Sequence, residues 1–202
     1  MSIRLLLADD QALVRGALAA LLDLERDMQV VAEVGRGDEV VEAARTHEAQ
    51  VCLLDIEMPG RSGIDAAREV SEQLPGVRSI IVTTFGRPGY LRAAIDAGAT
   101  GFVVKDTPAR ELAEAVRRVH QGLRVVDPTL ATASLLGGPN PLTERERDVL
   151  RAALSGAPVA TISTQVHLSP GTVRNYLSSA IRKTDTATRV EAARTAQENG
   201  WL

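Results

Sequence analysis

Five short apolar runs, each followed by an amphipathic stretch, fill the first 121 residues and leave few folds open to them. The runs are Ile3–Ala8, Met28–Val34, Val51–Asp55, Ser79–Thr84 and Gly101–Val104. The amphipathic stretches are Ala12–Leu24, Asp38–Thr46, Ile64–Gln73, Gly89–Ala97 and Pro108–His120. Runs of strand length, nearly continuous in Val, Ile and Leu, suit strands buried on both faces, and the stretches between them carry helical periodicity. Five such units predict an α/β domain with a five-stranded parallel, doubly wound sheet. Thr107-Pro108 predicts the start of the last helix, with a hydroxyl cap and Pro in its first turn.

The ends of those runs carry the chemistry. Val51-Cys52-Leu53-Leu54-Asp55 is followed by Ile56-Glu57-Met58-Pro59-Gly60, so one carboxylate arrives where the chain must turn. In a parallel sheet that edge is where ligands bind. Asp9-Asp10 follow the first run, Thr83-Thr84 close the fourth, and Lys105 follows the fifth. All of these converge on one edge. Three carboxylates there repel one another unless a cation joins them, and Mg²⁺, a hard ion with oxygen ligands, suits the set. An ammonium and a hydroxyl beside them suit the oxygens of a phosphoryl group. Asp55 can then be a metal ligand, a nucleophile forming an acyl phosphate, or both.

Residues 122–140 break the alternation with Asp127-Pro128 and Leu136-Gly137-Gly138-Pro139-Asn140-Pro141. They are expected to be a linker, with a short helix near Thr129–Ser134. From 141 to 202 the pattern is helical and predicts an all-α domain of four helices. Thr143-Glu-Arg-Glu146 is a capping box for the first, which runs to about Ser155 and ends at Gly156. A second lies near Val159–Val166. Ser169-Pro170 caps and opens the third, and Thr186 or Ala187 starts the fourth. On the third helix Val173, Leu177 and Ile181 fall on one face. Arg174, Asn175, Ser178 and Arg182 fall elsewhere, as base-reading residues in a major groove would. Lys183 and Arg189 are expected to grip the phosphate backbone.

These residues resemble a known family in two places. Asp9-Asp10, Asp55, Thr83 and Lys105, with Met58-Pro59-Gly60 after the acceptor, match the signature of the flavodoxin-like, CheY-like receiver domains of response regulators, over about residues 1–121. Pro141–Leu150 and Ser169–Leu177 resemble the LuxR-type helix-turn-helix. Together the chain resembles a NarL/FixJ-family response regulator, and Thr83–Tyr90 with Asn199-Gly200-Trp201 bring it near the DesR-like branch. The resemblance implies that Asp55 is the phosphoacceptor. It implies that Asp9, Asp10, Asp55 and the main-chain carbonyl of Glu57 hold Mg²⁺. Thr83 becomes the switch hydroxyl, Phe102 the switch aromatic, and Lys105 the partner of the phosphate.

The implied partners are a sensor histidine kinase, double-stranded DNA, a second copy of the chain once phosphorylated, and RNA polymerase. The apolar face of the first helix (Leu13, Ala17, Leu21) is expected on the sheet, with surfaces of the first, fourth and fifth helices as candidate dimer contacts. Three departures from the family pattern stand out: Glu57 adds a carboxylate beyond the acceptor, Thr84 is larger than the small residue usual after the switch Thr, and Ala157-Pro158-Val159-Ala160-Thr161 replaces a usually polar, often lysine-bearing turn.

Composition narrows the alternatives. Of 23 basic and 26 acidic residues, 8 and 6 fall in 139–202, leaving 15 and 20 in 1–138. An acidic first part and a mildly basic second fit a cation-binding input joined to a polyanion-binding output. Aromatics make up only 2%, which disfavours stacking on single-stranded nucleic acid. No apolar run spans a membrane, one Cys permits no internal disulfide, and the N-terminus does not follow a signal-peptide pattern, so a cytoplasmic protein without membrane insertion is expected. No enzyme activity is expected beyond phosphoryl uptake and loss at Asp55. Two rivals are a Mg²⁺-dependent aspartyl-phosphate phosphohydrolase, with Glu57 as its second carboxylate, and a phospho-regulated protein-binding module without DNA output.

Overall fold

A computed structural model describes residues 2–84, 88–127, 131 and 140–202. The chain divides into two compact units, Met1–Gly86 with Leu91–Thr132 and Ala133–Leu202 with Arg87–Tyr90. Among the described residues no helix is long and apolar enough to cross a membrane.

The first unit is an α/β sandwich of β1 (Ile3–Ala8), α1 (Ala12–Asp23), β2 (Met28–Val34), α2 (Val40–Thr46), β3 (Val51–Leu54), α3 (Gly63–Gln73), β4 (Arg78–Thr83), α4 (Pro88–Asp96), β5 (Gly101–Val104), α5 (Ala109–His120) and β6 (Val125–Val126). All strand pairs are parallel, in the order β2-β1-β3-β4-β5-β6. The order reverses direction at β1/β3, which opens a crevice at the strand ends. Leu5, Leu7, Leu53, Ile80 and Val82 build one core with α1 and α5. Strand alternation sends Leu6, Cys52, Leu54 and Ile81, all fully buried, to the opposite face.

Among the described residues the expected elements are present, with two differences at β6 and at the start of α5, and one expected helix falls outside them. The sixth strand, β6, lies inside the segment expected as linker. Its two residues continue the sheet because Val125 N bonds Thr100 O at 3.1 Å, and two residues carry too little period to be seen in sequence. The helix expected near Thr129–Ser134 falls on residues that, Ala131 apart, lie outside the described ones. At α5 the N-cap is Pro108 with no side-chain cap. Thr107 N instead bonds Val104 O at 3.0 Å in a turn, so the expected hydroxyl cap is not formed.

The orientation of α1 is a correction. Leu13, Ala17 and Leu21 were expected on the sheet, yet Leu13 is 86% exposed and Leu21 43%, while Ala19 and Leu22 are buried with Leu18 packed against them. The helix reads ALVRGALAALLD. It is apolar on almost every side, so periodicity could not choose the buried face.

The second unit holds α6 (Glu144–Ala153), α7 (Val159–Gln165), α8 (Pro170–Thr184) and α9 (Arg189–Glu198). Val149, Leu150, Ile162, Val173, Leu177 and Ala193 form its core, with Ile181 at the margin. Ser169 caps α8 and accepts from Thr172 N at 3.1 Å, with Pro170 in its first turn. The start of α9 is two residues later than expected. Thr188 is its cap and forms a second capping box with Glu191.

Glu146 does more than close the first capping box. Its Oε2 accepts from Thr143 N at 2.7 Å and from Lys183 Nζ at 2.7 Å, and the residue is 3% exposed. Burial works against the charge, but the hydrogen bonds from Lys183, Thr143 and Ser179 outweigh it and bring the carboxyl to about 2. This node ties α6 to α8. Because the folded value lies below the unfolded one, the stabilisation is present above the ordinary carboxylate range and is lost as pH falls toward 2.

Two outcomes follow for stability. Thr188→Ala should lower the stability of the helical unit by about 1 kcal/mol in urea melts followed by circular dichroism. Glu146→Gln should remove on the order of 2–3 kcal/mol at neutral pH, and the gap between variant and wild type should close between about pH 4.5 and pH 2. A gap that stays constant with pH would detach the effect from the carboxylate charge.

Candidate phosphoacceptor site and nucleic-acid interface

The polar residues at the strand ends converge because the sheet's hydrogen bonding continues one residue past each strand. Asp9 N bonds Val34 O at 3.2 Å, Asp55 N bonds Ala8 O at 2.8 Å, and Lys105 N bonds Thr83 O at 2.8 Å. Asp9, Asp55 and Lys105, 46 to 96 positions apart, are thereby set side by side, and the expected group of Asp9, Asp10, Asp55, Thr83 and Lys105 is brought to one edge.

Lys105 Nζ lies 2.7 Å from Asp9 Oδ2 and 3.1 Å from Asp55 Oδ2. Asp9, Asp55 and Thr83 are nearly closed to solvent, whereas Asp10 is exposed. Gln11 N donates to Asp9 Oδ1 at 2.9 Å and Ile56 N to Asp55 Oδ1 at 2.9 Å. Burial pushes the Asp55 carboxyl above its ordinary value; the Lys105 hydrogen bond and charge oppose this, and the charge of Asp9 adds to it. Burial also disfavours the charge on Lys105, but bonds to the two carboxylates outweigh it and raise its pKa. The two shifts thus have different causes: burial raises Asp55 against the pull of Lys105, and the bonds to two carboxylates raise Lys105 against its burial.

One oxygen from each of Asp9, Asp10 and Asp55 lies within 4.8 Å of the others. Three hard oxygen donors at that spacing, with one member open to solvent, fit a Mg²⁺ that keeps part of its water shell. Glu57 sits in the exposed turn two residues past Asp55. That turn is held from below: Gly63 N bonds Ile56 O at 3.0 Å, and a Cβ on Gly63 would run into the Asp55 carbonyl oxygen. Gly60, at φ +78°, makes the turn's left-handed step. Phe102 is 1% exposed, paired with Ile81 on β4 and Val126 on β6.

Cys52 is buried, and burial pushes its thiol up to about 12. It is inert packing for β3, not a nucleophile.

On α8 the structure places Arg174, Asn175, Ser178 and Arg182 in solvent, opposite buried Val173, Leu177 and Ala180. A helix with a closed apolar side and this polar side has the makings of a groove reader. The turn before it is locked where Ser163 Oγ donates to Leu168 O. His167, in that turn, takes φ +53°. Of the two expected phosphate contacts, Lys183 is engaged by Glu146 at 2.7 Å, whereas Arg189 makes a long, exposed bond from Nη2 to Gly156 O at 3.4 Å. The Lys183 engagement, across 37 residues, left no signal in sequence. The turn Ala157-Pro158 opens α7 with no side-chain cap.

The comparisons agree with this architecture. Residues 5–117 match the response regulator receiver domain, and residues 140–196 match the bacterial regulatory proteins of the luxR family. The chain is 44% identical over 200 residues to the transcriptional regulatory protein YvfU of Bacillus subtilis (strain 168), covering 99% of this chain and 100% of the relative. It is 41% identical to the transcriptional regulatory protein DesR of the same organism, covering 99% of each. Among solved structures, the response regulator ChrA of a heme-sensing two-component system aligns with a TM-score of 0.60 at 30% identity, over 100% of this chain and 99% of that one. A parallel sheet that gathers an aspartate pocket at its edge, followed by a helical unit with an exposed polar helix, thus places the chain among the response regulators that join a receiver domain to a LuxR-type DNA-binding domain.

Proposed function

We propose that Asp55 takes a phosphoryl group from a histidine kinase in the cytoplasm, and that this event controls how the LuxR-type domain binds duplex DNA. In this reading the receiver is residues 1–121, the linker 122–140 and the DNA-binding domain 141–202. The observation that carries it is the Lys105 ammonium between Asp9 and Asp55, at 2.7 and 3.1 Å. An ammonium there is already placed to bind a phosphoryl oxygen once Asp55 carries it.

The transfer balances simply. An Asp55 oxygen attacks phosphorus, the bond from phosphorus to the donor histidine nitrogen breaks, and the imidazole keeps the electron pair. Lys105 holds one phosphoryl oxygen and Thr83 reaches another. Ile56 N, already on Asp55 Oδ1, keeps the second carboxylate oxygen in place during attack. Mg²⁺, held by Asp9, Asp10, Asp55 and the carbonyl of Glu57, would neutralise charge on the transferring group.

As Thr83 moves to the phosphoryl group it vacates space on β4, and Phe102, buried on the neighbouring strand, follows. The exposed stripe Leu13, Ala17, Leu21 and Leu24 on α1 is the surface on which two phosphorylated copies meet, since it leaves large apolar groups in water. Two recognition helices then bind a two-fold site, with Arg174 and Asn175 reading base edges, Ser178 and Arg182 beside them, and Arg189 on the backbone. Lys183 acts through Glu146 by fixing the angle of α8.

Asp55→Ala should abolish labelling by a small phosphodonor such as acetyl phosphate while the far-ultraviolet circular dichroism stays unchanged. Labelling that persists would exclude Asp55 as acceptor. Arg174→Ala should cost about 1–3 kcal/mol against the cognate sequence and relax preference at one base position. Equal loss on every duplex would assign Arg174 to phosphate contact instead.

A further inference from the structure

Arg15 lies in the first turns of α1, and its side chain runs along the carboxyl edge of the sheet. Nη1 donates to the main-chain carbonyl of Asp9. Nε is 3.6 Å from Glu33 Oε2 on β2, too far for a hydrogen bond, and it is sealed from water without one. Gly35, just past β2, borders the same guanidinium: a Cβ there would stand 3.5 Å from Nη1. The side chain is 20% exposed. An arginine held this far from solvent against a carbonyl is positioned by the fold, and it positions the carbonyl in turn.

That carbonyl belongs to the peptide joining Asp9 to Asp10. Asp9 is otherwise fixed at every polar atom: its N by Val34 O, Oδ1 by Gln11 N and Oδ2 by Lys105. Among the described residues no hydrogen bond or ion pair holds the Asp10 carboxylate. Where Asp10 points therefore depends on the plane of the preceding peptide, and Arg15 is the side chain that sets it.

We infer that Arg15 is a positioning residue for the cation pocket. It orients the Asp9–Asp10 peptide so that the Asp10 carboxylate joins those of Asp9 and Asp55, and it couples that geometry to α1. The inference rests on the reading of the pocket as a divalent-cation site. Its sign separates it from simple electrostatics. A guanidinium beside an acidic pocket repels a dication, so if charge alone mattered its removal would tighten binding. If position matters, removal loosens it, as with other groups that orient a ligand from behind.

The test is Mg²⁺ titration of the full-length chain by isothermal calorimetry at neutral pH. Arg15→Met should weaken Mg²⁺ binding by about 10-fold. Arg15→Lys should recover part of that loss, because an ammonium can reach the carbonyl but cannot also lie against Glu33. The melting temperature of Arg15→Lys without Mg²⁺ should match wild type, which a merely structural role would not give. Binding in Arg15→Met as tight as wild type, or tighter, overturns the inference. If Arg15→Met does not fold, Arg15→Lys decides: it keeps the positive charge, so a loss, smaller than that expected of Arg15→Met, is positional, and affinity equal to wild type overturns the role. Asp10→Asn is the control for the pocket. Wild-type binding that Asp10→Asn leaves intact refutes the cation reading itself, and Arg15 falls with it. Binding lost in Asp10→Asn but unchanged in the Arg15 variants refutes only Arg15.

Discussion

One ammonium shared by two buried carboxylates is the constraint around which the first unit is arranged. Lys105 cannot neutralise both Asp9 and Asp55, and Asp10 adds a third negative charge at the rim. Burying such an excess costs several kcal/mol unless further positive charge arrives. Such a pocket could hold a cation among Asp9, Asp10 and Asp55. In the proposed phosphorylated state a phosphoryl group would add up to two negative charges in the same place, and Lys105 would answer that group too. The parallel sheet is what permits this. Asp9, Asp55 and Lys105 are each held by a main-chain bond to a neighbouring strand, which sets them side by side.

The helical unit repeats the device with a different outcome. Glu146 is buried and fully answered, by Lys183, by Thr143 N and by the rest of its cap, and its carboxyl falls to about 2. An answered buried charge gives a fixed joint, whereas an under-answered one gives a responsive site. Glu146 fixes α8 against α6, which sets the angle at which Arg174 and Asn175 face out. Asp55 instead has its pKa raised by burial in an acidic pocket. The two carboxylates thus differ in kind: one is fully answered and joins two helices, the other is not.

The site was legible in sequence because its residues sit at strand ends, where apolar runs stop and single polar letters stand out. Asp9, Asp55, Thr83 and Lys105 needed only the premise of a parallel sheet to be placed together. The exposed side of α8 was legible for a similar reason, since Val173 and Leu177 mark its buried face. What escaped has physical causes. The buried face of α1 could not be chosen because its residues are apolar all round. β6 is two residues long. The partner of Lys183 is 37 positions away and on another helix. Arg15 carries no pattern at all, because what it touches is a main-chain carbonyl, which every residue has. The capping box at Thr188 and Glu191 was present in the sequence and is a plain T-x-x-E; the Thr186 and Ala187 before it drew the helix start too early.

The correction to α1 changes what that helix can do. With Leu18, Ala19 and Leu22 inward, Leu13, Ala17, Leu21 and Leu24 form a stripe in water, Leu13 and Leu24 being 86% and 79% exposed. Covering such leucines in a dimer gains roughly 1.5–3 kcal/mol for each one fully buried. The cost is the ordering and immobilisation that any association carries. Arg15 stands on the same helix and grips the Asp9 carbonyl from its other side. In the proposed mechanism two routes would leave the pocket, one through Thr83 and Phe102 on β4 and β5 and one through Arg15 on α1, and they begin at groups bonded to Lys105 or to Asp9.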